Sequence, residues 1–155
     1  MTDRRTDIRP PSAGEHDQWA ALFRAYRDFY GLAPDEAVVQ RVWSWIRDPD
    51  HDTRALLAVT DDGTVVGIAH FRRFPWPSRG AVGMYLDDLF TDPAHRGSGV
   101  GRALIGAITE IAAREGCEVV RWVTSEANTT AQQLYDAIAT KTSWLTYDRP
   151  CAEGG

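Results

Sequence analysis

The sequence predicts a mixed α/β fold, in which helices cover a sheet made mostly of short strands. Three observations predict it: segments with apolar residues three or four apart, shorter β-type runs between them, and Asp, Gly and Pro turn residues at the joints. Along the chain these segments follow the order βααβββαβαβ, without internal repeats or linkers. A chain of 155 residues with this pattern is expected to form one domain, 1–155.

The first half of the chain supplies a strand, two helices and a hairpin. The stretch "DIRPP" is a short extended entry, and helical spacing then runs from Trp19 to Tyr30 and again from Val38 to Ile46. The segment "RALLAVTDDGTVVGIAHFRRF" follows as two β-type runs around Asp61-Asp62-Gly63. Because an Asp-Gly step favours a tight turn, these runs are predicted to form a hairpin.

The second half of the chain continues with strands and helices in alternation. A third β-type run, Val82 to Phe90, precedes a helix that is predicted to begin after Gly99 and to end at Gly116. The stretch "CEVVRWVTS" is predicted to be a strand, and Asn128 caps a helix over "NTTAQQLYDAIA". The stretch "SWLTYD" is predicted to be a final short strand.

Composition and charge exclude several classes of protein. The net charge of -5 disfavours a sequence-independent nucleic-acid binder and suits a cationic small partner, although it also serves solubility alone. No apolar run is long enough to span a membrane, and no apolar stretch follows the early arginines, so we expect a cytoplasmic protein. Cys117 and Cys151 lack metal-ligand spacing, so we expect reduced thiols and no metal site.

The junction between the third β-type run and the next helix carries glycines at 97, 99 and 101, with an arginine on each side. Glycine is needed where the backbone approaches a diphosphate closely, and a helix amino terminus attracts anions. The dinucleotide fingerprint does not fit, because Arg102 stands where its last glycine belongs, and the nucleoside-triphosphate loop lacks its lysine. The pattern therefore predicts a phosphate-binding loop of another kind.

A family resemblance follows from this loop and its neighbours. The segments "YLDDLFTDPAHRGSGVGRALI" and "RWVTSEANTTAQQLYD" resemble the GNAT superfamily of acetyl-CoA-dependent N-acetyltransferases, and the resemblance runs from "IRPP" to "WLTYDR". "YLDDLF" resembles the diamine and polyamine acetyltransferases, within a branch of small enzymes that act on polyamines, amino acids or histone tails. The resemblance implies a twisted, mostly antiparallel sheet with helices on both faces and splayed fourth and fifth strands.

The resemblance also implies which residues hold acetyl-CoA. The pantetheine arm would pair with the backbone of the fourth strand, and Asn128 would bind the pantetheine amides, cap its helix, or do both. The residues implied in cofactor binding are Leu89, Phe90, Thr91, Arg96, Gly97, Ser98, Gly99, Val100, Gly101, Arg102 and Asn128.

For catalysis the resemblance implies Tyr135 as the acid that protonates the departing thiolate, although its spacing also fits a helix core face. Asp87 is the implied base, or an anchor for a substrate ammonium. Asp88 would be a second substrate carboxylate or a structural acid, and Trp76 is expected to flank a cationic substrate. Strand alternation sends the two carboxylates to opposite faces unless a bulge intervenes.

The expected reaction is acetyl transfer from acetyl-CoA to the primary amine of a small cationic substrate, namely a diamine, a polyamine or an amino acid. The alternatives are acetylation of protein amino termini, of lysines or of an antibiotic, and a non-catalytic acyl-CoA sensor. By analogy with the family we expect a homodimer.

Overall fold

The computed structural model describes residues 6–152, and five strands, four α-helices and three short 3-10 helices lie in this range. The strands are β1 (Asp7–Arg9), β2 (Arg54–Val59), β3 (Val65–Trp76), β4 (Ala81–Thr91) and β5 (Val120–Arg121). The helices are α1 (His16–Phe29), α2 (Glu36–Arg47), α3 (Val100–Arg114) and α4 (Thr129–Ile138). The mixed α/β prediction is confirmed, with β5 shorter than expected.

These elements group in two compact units, one within Met1–Val123 and the other within Thr124–Gly155. The first unit contains the whole sheet and the helices α1 to α3, and the second contains α4 and the segment that follows it. The single domain over 1–155 stays a prediction.

The strands lie in the order β1-β2-β3-β4-β5, and only the β4–β5 pair is parallel. The predicted hairpin is confirmed as β2 and β3, whose turn includes Gly63 at a φ of 84°. β5 pairs with β4 only at Met84 and Tyr85, whereas β4 continues to Thr91. Within residues 6–123, the rest of this β4 edge therefore has no strand partner, as the splayed pair predicts.

Helices cover both faces of the sheet. Ile68 of β3 belongs to a buried apolar cluster with Trp19 of α1 and Val39 of α2. Gly67 precedes Ile68 in β3. A Cβ added to Gly67 would lie 2.5 Å from Cγ1 of Val100, the first residue of α3. Because neighbouring residues of a strand point to opposite faces, α1 and α2 cover one face and α3 the other. The missing side chain of Gly67 allows α3 to pack this closely.

The carboxyl end corrects one prediction. The stretch "SWLTYD" is not a strand, and residues 140–152 contain no regular element. Trp144 and Tyr147 are 85% and 87% exposed. An alternating apolar pattern shows that a segment can form a strand, but a strand also needs a partner backbone. Within residues 124–152 no strand supplies one.

Two expectations from composition can be compared with the described residues. Cys117 and Cys151 are free cysteines in the described residues, and their reduced state stays a prediction. Over the helices described between residues 6 and 152, none is long and apolar enough to cross a membrane. The cytoplasmic location stays a prediction.

At the amino end, Glu15 connects β1 to the first helical turn. Arg9 donates hydrogen bonds to both carboxylate oxygens of Glu15 at 2.6 and 2.7 Å, and the backbone N–H and hydroxyl of Ser12 each donate at 2.9 Å. The Arg9 bonds and those from Ser12 lower the pKa of Glu15 from 4.5 to about 2, although burial opposes this shift. The ionised carboxylate therefore stabilises the fold.

We expect Glu15→Gln to lower the free energy of unfolding at pH 7 by about 1–3 kcal/mol, because Arg9 loses a charged partner. Since the folded pKa of Glu15 is depressed, this stability is fully present above pH 4.5 and is lost as the pH falls towards 2. In urea unfolding, the difference in the free energy of unfolding between variant and wild type should shrink as the pH falls through that range. Glu36→Gln, which breaks the exposed pair with Arg24, is the control and should lower the free energy of unfolding much less, because solvent screens that pair. A loss that does not change with pH would contradict the assignment.

Candidate active site

The glycine loop lies between β4 and α3. β4 ends at Thr91, and the Asp92 carboxylate accepts a bond from the backbone N–H of Ala94 at 3.0 Å. Gly97 and Gly99 have φ values of 81° and 84°, in the left-handed region that favours glycine. Among the described residues, no side chain caps the first turn of α3. The backbone N–H groups of this turn and the positive end of the helix dipole are therefore available to an anion.

The arginines of the loop add positive charge. The Arg96 guanidinium lies 5.5 Å from the ring centroid of Phe29 and 5.6 Å from that of Phe90. These rings hold its guanidinium beside the end of β4 without cancelling its charge. Within residues 6–123, no carboxylate lies within ion-pair distance of Arg96 or Arg102. The loop therefore fits a pyrophosphate by charge and by backbone conformation.

The end of β4 has one paired and one open edge. Leu89, Phe90 and Thr91 pair with β3, and the opposite edge beyond Tyr85 has no strand partner in residues 6–123. An open strand edge can bind an extended chain of amides through its backbone. The predicted position of the pantetheine arm agrees with this geometry and stays a prediction.

A β-bulge changes the direction of the two adjacent carboxylates. His70 pairs with Asp88 and Phe71 pairs with Leu86, so Asp87 is an extra residue on β4. Asp88 therefore shares a face with His70. The Asp87 carboxylate contacts Nε of Arg72 at 3.1 Å, and Arg72 lies two residues from His70 on the same face of β3. Simple alternation predicted opposite faces, but the bulge brings both carboxylates to the face that α1 covers.

Both oxygens of Asp88 accept a hydrogen bond. The Tyr26 hydroxyl donates to Oδ1 at 2.7 Å, and Nδ1 of His70 lies 2.8 Å from Oδ2. On the far side of the imidazole, the Trp19 indole N–H donates to Nε2 of His70 at 3.0 Å. Burial alone would raise the pKa of Asp88, but the bonds from His70 and Tyr26 lower it below the usual range. Asp88 is therefore an anion at neutral pH.

Asp87 has a different environment. Burial raises the pKa of its carboxyl above the usual range, the Arg72 guanidinium opposes this shift, and the charge of Asp88 adds to it. A raised pKa makes a carboxylate a better proton acceptor. The two neighbouring carboxylates thus have separate characters, one a firmly ionised group and the other more easily protonated.

Comparison with known proteins places this arrangement in a family. Residues 19–138 match the model of the Acetyltransferase (GNAT) family. The chain belongs to the GNAT family of N-acetyltransferases. It is 29% identical over 152 residues to a D-amino-acid N-acetyltransferase of Saccharomyces cerevisiae, covering 96% of this chain and 93% of the relative. It is 32% identical over 72 residues to a thialysine N-epsilon-acetyltransferase of Bos taurus, covering 46% of this chain and 41% of the relative.

Solved structures confirm the GNAT fold. An aminoglycoside N-acetyltransferase in complex with CoA superimposes with a TM-score of 0.78 at 22% sequence identity, covering 96% of this chain and 97% of that one. At this identity the likeness concerns the fold alone. Because GNAT enzymes use acetyl-CoA, the family assignment identifies acetyl-CoA as the cosubstrate class.

Trp76 of this GNAT enzyme already lies beside two cations of its own chain. The guanidinium groups of Arg79 and Arg121 lie 5.1 and 4.8 Å from its ring centroid. A cationic substrate at this ring would therefore meet electrostatic repulsion as well as the aromatic face. The role of Trp76 in substrate binding stays a prediction.

Two predicted site residues of the GNAT enzyme lie in the second unit. The side chain of Asn128 accepts a bond from the backbone N–H of Ala131 at 3.2 Å, and therefore caps α4. Tyr135 is half-buried on the helix face that also carries Leu134 and Ile138. Both positions agree with the alternative structural interpretations, and their roles towards acetyl-CoA stay predictions.

The partners of the acidic pair were not predicted from the sequence. In the sequence, His70 lies within a predicted β-type run and Tyr26 within a predicted helix, and neither position indicates a bond to Asp88. The sequence does carry a signal: His70 is a polar residue within a run of apolar residues, and acidic residues lie in the next β-type run. A buried polar side chain needs a hydrogen-bond partner, and Asp88 is the nearby acceptor.

Proposed function

We propose that this N-acetyltransferase acts on the primary amine of a small cationic substrate, namely a diamine, a polyamine or an amino acid. The observation that carries the proposal is the bulge in β4, which turns Asp87 and Asp88 to one face of the sheet. Two adjacent carboxylates attract an ammonium group, and only one of them has a guanidinium partner. The relatives named for D-amino-acid and thialysine acetylation support an amino-acid-like acceptor.

The cosubstrate acetyl-CoA supplies an activated thioester. In our proposal, the first-turn N–H groups of α3, with Arg96 and Arg102, bind its pyrophosphate, and the open edge of β4 at Leu89 to Thr91 aligns its amides. Positive φ values at two loop glycines and two unpaired arginines in the first unit support the pyrophosphate site. Binding at several points would orient the reacting carbonyl, and orientation supplies a large share of the rate.

Asp87 takes the proton that the attacking amine must lose. A new C–N bond forms as the neutral amine attacks the thioester carbonyl, and the C–S bond breaks. The amine proton passes to Asp87, directly or through a water molecule, and Tyr135 donates its phenolic proton to the departing sulfur. The raised pKa of Asp87 supports the first role. A tyrosine hydroxyl is a hydrogen-bond and proton donor, which supports the second.

We also propose that the protein forms a homodimer, as expected by analogy with the family. Large side chains in the carboxyl segment are exposed, with Trp144 at 85%, Leu145 at 78% and Tyr147 at 87%. Contiguous exposed apolar groups commonly mark an interface. A monomer by analytical ultracentrifugation at micromolar concentration would reject this state.

Asp87→Asn tests the acceptor assignment. We expect kcat/KM for a small amine to fall roughly 10²-fold, because the variant lacks both the base and a negative charge. Added salt should raise the KM of the wild type if the contact is open to solvent. The substrate comes from a screen of polyamines, amino acids, aminoglycosides and histone-like peptides, read by release of the CoA thiol.

The matched control is Asp61→Asn, which removes the same charge from the exposed turn between β2 and β3. Its kcat/KM should stay near that of the wild type. If only peptides react and Asp87→Asn is silent, protein acetylation replaces the small-amine proposal. If acetyl-CoA binds and no acceptor reacts, the sensor alternative replaces it.

A further inference from the structure

Four polar side chains form a continuous chain of hydrogen bonds between α1 and β4. They run from the Trp19 indole through His70 to Asp88, where the Tyr26 hydroxyl also bonds. Trp19 and His70 are 0% and 1% exposed. Burial of an imidazole in an apolar cluster costs free energy unless both ring nitrogens are bonded. Here both are, and the bonded chain leads to the carboxylate pair.

The bonding pattern assigns the tautomer of His70. An indole nitrogen can only donate, so Nε2 of His70 must accept. Nδ1 then carries the hydrogen of the neutral ring and donates it to Asp88. Because the Trp19 N–H has no acceptor capacity, no proton can leave through this end of the chain. The network therefore positions groups rather than carrying protons.

This tautomer leaves the charge of Asp88 uncompensated. The groups that face the carboxylate are His70 from β3, Tyr26 from α1 and Asp87 from its own strand. His70 and Tyr26 are neutral donors. Burial, and to a smaller extent the charge of Asp88, raises the pKa of Tyr26, so its hydroxyl stays protonated. The guanidinium of Arg72 pairs with Asp87 instead.

We propose that His70 is a positioning residue: Trp19 fixes its Nδ1–H tautomer, which keeps Asp88 an oriented, uncompensated anion that binds the cationic end of the acceptor. This inference rests on the proposed acceptor site. It assigns the attraction for a second charged group of the substrate to Asp88, and leaves the proton transfer to Asp87. An amine of similar size that lacks a second charged group should gain nothing from this contact.

The test compares three variants with two acceptors of matched size. The cationic amine carries a second charged group, and the neutral amine carries none besides the reacting amine. His70→Leu keeps the bulk and removes the donor, so the KM of the cationic amine should rise about tenfold, with little change for the neutral amine. His70→Asn can place an amide donor near the Nδ1 position and should recover part of the affinity. Tyr26→Phe keeps the ring, removes the other donor and should act like a milder His70→Leu. Circular dichroism and thermal melting verify that each variant folds. If His70→Leu does not fold, Tyr26→Phe replaces it as the test of a lost donor to Asp88.

A second readout does not depend on turnover. Ring ¹⁵N shifts of His70 in the uniformly labelled wild type should show a protonated Nδ1 and an unprotonated Nε2 at neutral pH. The Nε2–H tautomer or a doubly protonated ring would overturn the proposal. In Trp19→Phe the freed Nε2 can take a proton as the pH falls, and the resulting imidazolium would cancel the Asp88 charge. The KM of the cationic amine should then rise with falling pH more steeply than in the wild type.

The outcomes separate this inference from the acceptor assignment. If Asp87→Asn impairs amine turnover but His70→Leu raises the KM of neutral and cationic amines equally, the positioning role is wrong and the acceptor assignment remains. If Asp87→Asn is silent as well, the small-amine site itself is wrong, and this inference falls with it.

Discussion

Gly99→Val should abolish measurable acetyl-CoA binding at micromolar concentrations. Gly99 has a φ of 84°, and nothing lies within 4 Å of a Cβ added there, so the obstacle is backbone conformation and not crowding. A β-branched residue in the left-handed region costs on the order of 1–3 kcal/mol. The loop would relieve this strain by leaving that conformation, and the N–H groups at the start of α3 would turn away from the pyrophosphate. Titration calorimetry measures the loss.

Gly106→Ala is the matched control for this variant. Gly106 lies inside α3, where an added Cβ also meets nothing within 4 Å, and its backbone is helical. Alanine there should preserve acetyl-CoA binding and stabilise the helix by about 0.5–1 kcal/mol. Wild-type protein that binds no CoA at millimolar concentration would end the loop assignment. So would Gly99→Val with unchanged affinity.

Tyr135→Phe should lower turnover roughly 10²-fold while the affinity for acetyl-CoA stays nearly constant. The substitution keeps the aromatic ring on this face of α4, and it removes the hydroxyl whose proton the departing sulfur would take. Steady-state kcat at saturating amine, with calorimetry for acetyl-CoA, separates the two quantities. The effect should be largest with amines whose chemical step limits turnover.

Tyr147→Phe supplies the control in the same unit of the chain. Tyr147 is 87% exposed in this chain and lies outside the proposed acetyl-CoA and acceptor sites, and phenylalanine keeps the ring that the proposed dimer would bury, so turnover and stability should stay unchanged. Normal turnover in Tyr135→Phe would return this side chain to the apolar face of α4. A drop that accompanies a large fall in melting temperature would point to the same structural role.

Local patterns in the sequence predicted the elements whose structure depends on neighbouring residues. The Asp-Gly turn between β2 and β3 is such an element, because residues next to each other in the chain determine its geometry. The loop from Arg96 to Gly101 is another, since glycine content and the start of a helix are both visible in the letters. The strand over "SWLTYD" was wrong because pairing depends on a partner that the alternating pattern does not specify.

The candidate site was predicted less completely, for a physical reason. The residue types of Asp87 and Asp88 indicated an acidic site, but their directions depend on the register between β3 and β4. One extra residue on one strand reverses the alternation, and no local signal marks that insertion. The bonds from Tyr26 and His70 to Asp88 join positions 62 and 18 residues apart, so they follow from the tertiary fold alone.

The close packing of Gly67 beneath α3 limits which substitutions the chain can tolerate during evolution. Any side chain at this position would push Val100, which opens the helix behind the phosphate loop. A selection for acetyl transfer would therefore remove variants of residue 67 together with variants of the loop, although Gly67 lies in a strand. Suppressors of such variants would be expected at Val100, as a smaller side chain, and not among the arginines that meet the ligand. Sequence constraint on this enzyme thus extends from the cosubstrate loop through the helix into the middle of the sheet.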